Sequence, residues 1–287
     1  MVRASGVVTK AFAWHLHPDV LLLLFGLAAG YIVAVTTLGP KLADPDEPVA
    51  TTRQKALYFG GLVIMFVGAY WPLHDIAEDY LFSVHMLQHM LFSLVGPPLL
   101  LMGLPRWLLR WLIAPIKGAV RALTRPVVAF VIFNIWVAVS HWPALVDASV
   151  ESEPLHFLVH IVLVGTSLLM WWPVVAPLPE MPSLSTPGKM LYLFGQSILP
   201  TVPASFLTFA DGVIYRAYLD APRLWGISVL GDQRMAGLLM KLGGGLLLWG
   251  VITVLFFRWH GEEERAEVKE LSWGDFEREL TEHDLRR

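Results

Sequence analysis

The chain carries ten histidines, and four of them form two pairs at a spacing of four residues, His85 with His89 and His156 with His160. On a helix this spacing puts two side chains on one face, with Cβ atoms about 5–6 Å apart. It is the spacing with which a helix offers two imidazoles to one metal ion. Ten histidines scattered at random over this length would give about 0.3 such pairs, so two exceed chance. Two helices facing each other in this way would supply three or four nitrogen ligands. The competing reading is that the histidines hydrogen-bond acidic loops and lipid headgroups at an interface. Nitrogen ligands without thiolates suit copper or zinc. The chain contains no cysteine, which removes disulfides, zinc fingers, iron–sulfur clusters and thiolate nucleophiles together.

Other residues stand near these pairs. His74 and His141 are candidate additional ligands, or loop hydrogen-bonders. Asp75 and Asp79 are candidate partners for fixing imidazole tautomers, or solvated loop acids. Met86 and Met90 would suit Cu(I), but their helical positions lie about 100° from the histidine face, which favours packing.

The elements that must position these groups are membrane helices. The chain has 287 residues, of which 55% are hydrophobic and 16% charged, and its mean hydropathy is +0.57. A soluble domain carries about 25% charged residues, so a soluble enzyme and a disordered chain are excluded. A net charge of −3 without a basic block outside one short loop excludes a nucleic-acid binder. Runs of about 17–25 apolar residues mark spanning helices, because lipid offers no partner to a backbone amide. Seven are found: Val20–Leu38, Ala56–Leu73, Val84–Leu104, Pro126–Pro143, Leu155–Pro173, Met190–Ala210 and Met235–Phe257. The expected fold is therefore an all-α polytopic transmembrane helical bundle. It divides into a segment 1–19, a seven-span domain 20–258 and a charged tail 259–287, read as a short amphipathic or frayed helix. Arg3 and Lys10 before the first run resemble a signal-peptide flank, but the run is long and no A-x-A-like site follows, so a retained helix is expected.

Lys and Arg set the expected orientation. One alternate set of connections holds 15 of the 21 cations, including Arg106, Arg110, Lys117, Arg121 and Arg125 in one loop without an acid. The other set includes two short loops with Asp75, Glu78, Asp79, Asp147, Glu151 and Glu153 and no cation. This puts the N-terminus outside and the C-terminus in the cytoplasm. Eight histidines then fall on the outer side, with both pairs at similar depth. Trp71, Trp107, Trp142, Trp171, Trp172 and Trp259, near span ends, fit interfacial anchoring.

Lys241 is the single Asp, Glu, Lys or Arg inside a span, and its stem is long enough to reach the interface. Asp232 and Gln233 are expected to cap that last helix. Proline breaks at Gly96-Pro97-Pro98 and Pro200–Pro203 must free backbone carbonyls that something else satisfies. Haem held between two helices is weighed and disfavoured: the histidine repeat is four, and both pairs lie at one end, with no path inward. No catalytic triad, P-loop or paired carboxylate is present, and no enzymatic activity is expected.

Several segments together resemble the multi-span CtaG family of cytochrome c oxidase assembly factors. They are Trp71-Pro-Leu-His-Asp-Ile-Ala, Tyr80-Leu-Phe-Ser-Val-His-Met-Leu-Gln-His-Met, Gly96-Pro-Pro, His141-Trp-Pro-Ala-Leu, Leu155-His-Phe-Leu-Val-His160, Trp171-Trp-Pro and Asp232-Gln-Arg-Met-Ala-Gly. The resemblance covers about residues 15–260. It implies a bacterial plasma-membrane protein that supports copper insertion into the catalytic subunit of a haem–copper oxidase. It also implies candidate copper residues His85, His89, His156 and His160, with His74 and His141 next. Expected partners are that oxidase subunit, an extracytoplasmic copper donor and membrane lipids, with no nucleic acid. Two other classes stay open, a copper transporter or copper-resistance protein and a membrane haem or copper oxidoreductase. The first predicts ligands spread through the bilayer depth, the second a Soret band or a second cofactor site.

Overall fold

The computed structural model describes residues 9–284; of 266–275, 279, 282 and 284 only the backbone is described, and Arg3 lies outside the described residues. Among the described residues every regular element is helical. Six stretches are long and apolar enough to cross a membrane. They are Pro18–Leu42 (α1); Thr52–Asp79, made of Thr52–Ala69 (α2) and Leu73–Asp79 (α3); Phe82–Gly103 (α4); Glu153–Val175; Thr186–Phe209; and Val229–Arg265. The fourth expected span forms the 15-residue helix Pro126–Ser140, bent by 85° from the segment Arg106–Leu123 before it; counted as one broken span, that pair brings the total to seven. In chain order the remaining labels are Arg106–Ile113 (α5), Lys117–Leu123 (α6), Pro126–Ser140 (α7), Pro143–Val150 (α8), Glu153–Val175 (α9), Thr186–Ile198 (α10), Thr201–Phe209 (α11) and the helix that starts at Val229 (α12).

Local sequence explains where these helices start. Thr51 and Gln54 form a reciprocal capping box at α2, while Ser185 and Ser228 accept from the amides of Gly188 and Gly231. Proline stands in the first turn of α1, α7, α8, α9 and α10, where its missing N–H costs no hydrogen bond.

Interior prolines do cost one, and the fold repairs it with side chains. Pro97 leaves the Ser93 carbonyl without its usual donor, and the Trp171 indole N–H of α9 donates to it at 2.9 Å. At the end of α2 the Gly68 carbonyl, freed because the helix stops at Ala69, receives the Gln88 amide at 2.9 Å. Around the first break α4 widens into a π-turn at Leu91–Val95, the usual device for absorbing one extra residue in a helix.

Small residues set the closest helix approach. Tyr31 stacks on Tyr58 with ring centroids 4.1 Å apart, and its hydroxyl donates to the Gly103 carbonyl at 3.2 Å. A methyl group on Gly103 would collide with the Tyr58 backbone, so α2 and α4 meet there only because position 103 is glycine. At the same end of the bundle α5 buries Leu108, Leu109 and Ile113 while Arg106 and Arg110 stay exposed. Arg110 donates to both oxygens of Glu180 at 2.7 and 3.1 Å, and this hydrogen-bonded pairing holds the Glu180 carboxyl down at about 2.

Four expectations need correction. Residues 74–83 and 144–154 are not plain loops, because α3 and α8 fold there. The tail is helical as expected but not a short separate helix: the last segment of α12, Gly244–Asp284, runs through the boundary at 258, with no proline in it. Trp171 and Trp172 are 2% and 5% exposed, part of the core rather than interfacial anchors, since α9 is the central helix. Asp232 and Gln233 do not cap α12, a role Ser228 takes.

Gly103→Ala should therefore destabilise the protein by about 1–3 kcal/mol through overpacking. The matched control is Gly60→Ala, whose added methyl meets nothing within 4 Å. Thermal unfolding in detergent should show a lower midpoint for the first variant only.

Candidate metal centre

The two histidine pairs face each other across α4 and α9. Ring centroids of His85 and His156 are 5.4 Å apart, those of His85 and His160 5.6 Å, and those of His89 and His160 5.0 Å. One ring nitrogen from each of His85, His156 and His160 can be chosen so that all three lie within 4.8 Å of one another. Ligands on one tetrahedral ion with metal–nitrogen bonds of about 2.0 Å sit about 3.3 Å apart, so rotamer-scale closure would bring the trio onto one ion. His89 approaches the trio from the other side, with its Nε2 3.0 Å from His160 Nε2. That distance suits either an N–H···N hydrogen bond or two ligands of a shared ion.

His74 and His141 flank the cluster in opposite directions and have different chemistry. Gln88 donates to His74 Nδ1 at 3.1 Å, occupying that lone pair and leaving the proton on Nε2. His141 Nδ1 donates to the Val137 carbonyl at 2.7 Å, so its Nε2 is the free acceptor; its ring lies 6.3 Å from that of His89. Of the six histidines singled out from sequence, His85, His156 and His160 converge, His89 touches His160, and His74 and His141 stand at the two ends.

A carboxylate enters this group that sequence reasoning left among the loop acids. Glu78 Oε1 lies 2.7 Å from His156 Nε2 and 3.8 Å from the Nδ1 atoms of His74 and His85. The 2.7 Å approach is off the axis of a hydrogen bond, and both atoms are without a hydrogen-bond partner. His85 Nδ1, His156 Nδ1 and His141 Nε2 are buried in the same condition. Such atoms cost about 1–3 kcal/mol each when left unpaired. A cation between His85, His156 and Glu78 would answer one nitrogen of each ring and the carboxylate, and a set of imidazoles with one carboxylate fits a borderline ion such as Cu(II) or Zn(II). The signal for Glu78 was its position four residues after His74, which needed α3 to be seen as a helix.

Asp75 does not reach the cluster. His15 Nδ1 and His17 Nε2 hold its two oxygens at 2.9 and 2.7 Å, tying the start of α1 to α3. Asp79 is exposed. A cavity of about 720 Å³ opens beside the cluster, lined by His74, Glu78, His156 and His160 and by the carboxylates Asp19 and Glu153. Acidic walls of this kind raise the local concentration of cations.

The unexpected positioning residue is Asp232. It is 1% exposed, and its carboxylate accepts from the amides of Phe82 and Ser83 at 2.7 and 3.1 Å. It thus satisfies the free N-terminal amides of α4, the helix that carries His85 and His89, from the neighbouring α12. Gln233 next to it accepts from the Ile214 amide at 2.7 Å and anchors the loop between α11 and α12. Above the cluster that loop packs Tyr215 and Tyr218 against Phe82. Lys241 lines neither this cavity nor the smaller one described below; its ammonium sits 5.5 Å over the Phe209 ring.

Compared with known families, the chain matches the family described as cytochrome c oxidase caa3 assembly factor (Caa3_CtaG) over residues 29–262. It is also similar to an uncharacterized protein of Mycobacterium bovis and to one of Mycobacterium tuberculosis. Each is 26% identical over 214 residues, covering 66% of this chain and 32% of the relative. The chain therefore spans about a third of the length of the curated relatives it matches. No solved structure matches it.

Asp232→Ala should leave two buried amides unpaired and cost about 1–3 kcal/mol, with Asp232→Asn costing less because one oxygen still accepts. Both variants should lose metal occupancy although every candidate ligand is intact. Unfolding midpoints and metal content of the purified proteins check this.

Proposed function

Because the chain belongs to the family of cytochrome c oxidase caa3 assembly factors, we propose that it holds copper as cargo on His85, His156 and His160 and passes it toward the oxidase catalytic subunit. The single observation that supports this reading is the convergence of the buried His85 and His156 and the half-buried His160 from two helices on one point, with unpaired ring nitrogens on the first two and the Glu78 carboxylate beside them. His89 is placed to exchange with His160 as a ligand. Copper would arrive from an extracytoplasmic donor through the acid-lined cavity. Docking of the oxidase subunit would take place at the same end of the bundle, in the plasma membrane. A carrier of this kind needs a site that binds moderately, and three imidazoles without a thiolate meet that need. The protein acts in this reading as a metallochaperone and performs no catalysis. In the copper-transporter alternative Lys241 would line a path; its ammonium instead lies over the Phe209 ring and lines neither cavity, and we favour the carrier reading.

The test is metal analysis of the protein purified from copper-supplemented cells, with an absorption spectrum. About one Cu(II) per chain is expected, absent from the variant His85→Ala/His156→Ala/His160→Ala, with no Soret band. Equal copper in both proteins overturns the site, and a Soret band moves the protein to the haem class. Ligating imidazoles must be neutral, with an ordinary pKa of about 6.5. Protons therefore compete increasingly as pH falls, and copper occupancy should decline on acidification from pH 7 to about pH 5.

A further inference from the structure

Next to the imidazole site lies a second cavity of about 70 Å³, bordered by α4, α7, α9, α10 and α12. Its lining includes four thioethers, Met86, Met90, Met170 and Met240, together with His89 and His141. Met86 and Met170 are 2% and 0% exposed, so these sulfurs belong to the interior and not to lipid. Met86 and Met90 repeat the four-residue spacing of His85 and His89 one position further on. Helix α4 therefore shows an imidazole face to α9 and, about 100° around, a thioether face to this cavity. His89 borders both: it contacts His160 on one side and lines the methionine cavity on the other. His141 also lines the cavity, and its Nε2, left as the acceptor by the Nδ1 hydrogen bond to Val137, is buried without a partner.

We propose that this chamber is a second metal site, selective for a soft monovalent ion, with Met86, Met90 and Met240 as sulfur ligands and His141 or His89 as nitrogen ligand. Thioethers are poor ligands for Cu(II) and Zn(II) and good ones for Cu(I) and Ag(I). The chamber holds no carboxylate or lysine in its lining, which suits an ion of charge +1 in an apolar wall. The imidazole site has three imidazoles and a carboxylate, which accept Cu(I) as well as Cu(II), so the two sites differ in that only it holds Cu(II), and His89 is the residue common to both. This inference rests on copper being the cargo, and the experiment separates the two claims.

The test uses the full-length protein in detergent under anaerobic conditions. Cu(I) is titrated in competition with a chromogenic chelator, with Ag(I) as a second probe, and X-ray absorption is recorded on the Cu(I)-loaded protein. The variants are Met86→Leu/Met90→Leu/Met240→Leu and His85→Ala/His156→Ala. Wild type should bind two Cu(I) per chain, with sulfur in the first coordination shell of part of the copper. The leucine variant should bind one fewer Cu(I), lose the sulfur signal and the Ag(I) site, and keep its Cu(II) stoichiometry. The alanine variant should lose Cu(II) and keep sulfur-ligated Cu(I). Methionine-to-leucine changes conserve volume, and the absorption measurement on wild type needs no variant at all. An all-nitrogen environment for Cu(I), or an unchanged Cu(I) count in the leucine variant, overturns the soft site while leaving the imidazole site standing. Cu(II) binding that persists in the alanine variant overturns the imidazole site and leaves this one.

Discussion

The constraint on which the rest of the structure depends is that a backbone amide or carbonyl inside a bilayer must find its partner within the protein. Helix α4 breaks this rule at its start and in its middle, and α2 breaks it at its end. Each breach is closed by a side chain from elsewhere: Asp232 at Phe82 and Ser83, Trp171 at Ser93, Gln88 at Gly68. These three contacts pin α4 to α12, α9 and α2 at three heights. The helix that carries His85, Met86, His89 and Met90 is thereby held against rotation and sliding. The candidate metal centre inherits its geometry from repairs to the backbone.

A second consequence is economy of polar groups. Gln88 satisfies Gly68 and fixes the tautomer of His74 in one stroke, while Asp75 binds His15 and His17 together and closes the end of α1 onto α3. Glu78 is the charged group left facing the converged histidines. The same end of the bundle thus sorts its acids into one that builds structure and one that faces the candidate ion. Among the described residues the bundle's other end contributes none of the converged histidines: α5 covers it with Leu108, Leu109 and Ile113, and Trp172, Leu178 and Leu193 fill the interior between.

Much of this was legible in the sequence. Apolar run length locates the spans, because lipid imposes it on every crossing helix, and the paired spacing of His85/His89 and His156/His160 places the cluster. Pro97 announces a freed carbonyl, though not that Trp171 would answer it. What stayed hidden shares one cause, the choice of tertiary partner. Nothing local says that Asp232 caps a helix 150 residues away rather than its own. Glu78 looked like a loop acid because the turn after α2 hides a seven-residue helix. Met86 and Met90 were readable as packing residues, which they are. That they also border a cavity with Met170 and Met240 required the packing of five helices. That the tail is helical was readable, but not that it continues the last span, because charge density marks a membrane boundary and says little about whether the helix stops there.

The π-turn at Leu91–Val95 has a meaning in terms of phase. One extra residue in a helix rotates everything on one side of it by about 100° relative to the other. Above the turn α4 is set so that His85 and His89 look at α9; below it, the same helix is set so that Gly103 looks at Tyr58. A deletion of one codon between 91 and 95 would leave hydropathy and length almost unchanged, yet the two halves could no longer both be in register. If Gly103 kept its place, the imidazoles would turn away from α9. Which side chains face α9 is thus set by residue count as much as by residue type, and insertions or deletions in this short stretch are the changes that this arrangement should tolerate least.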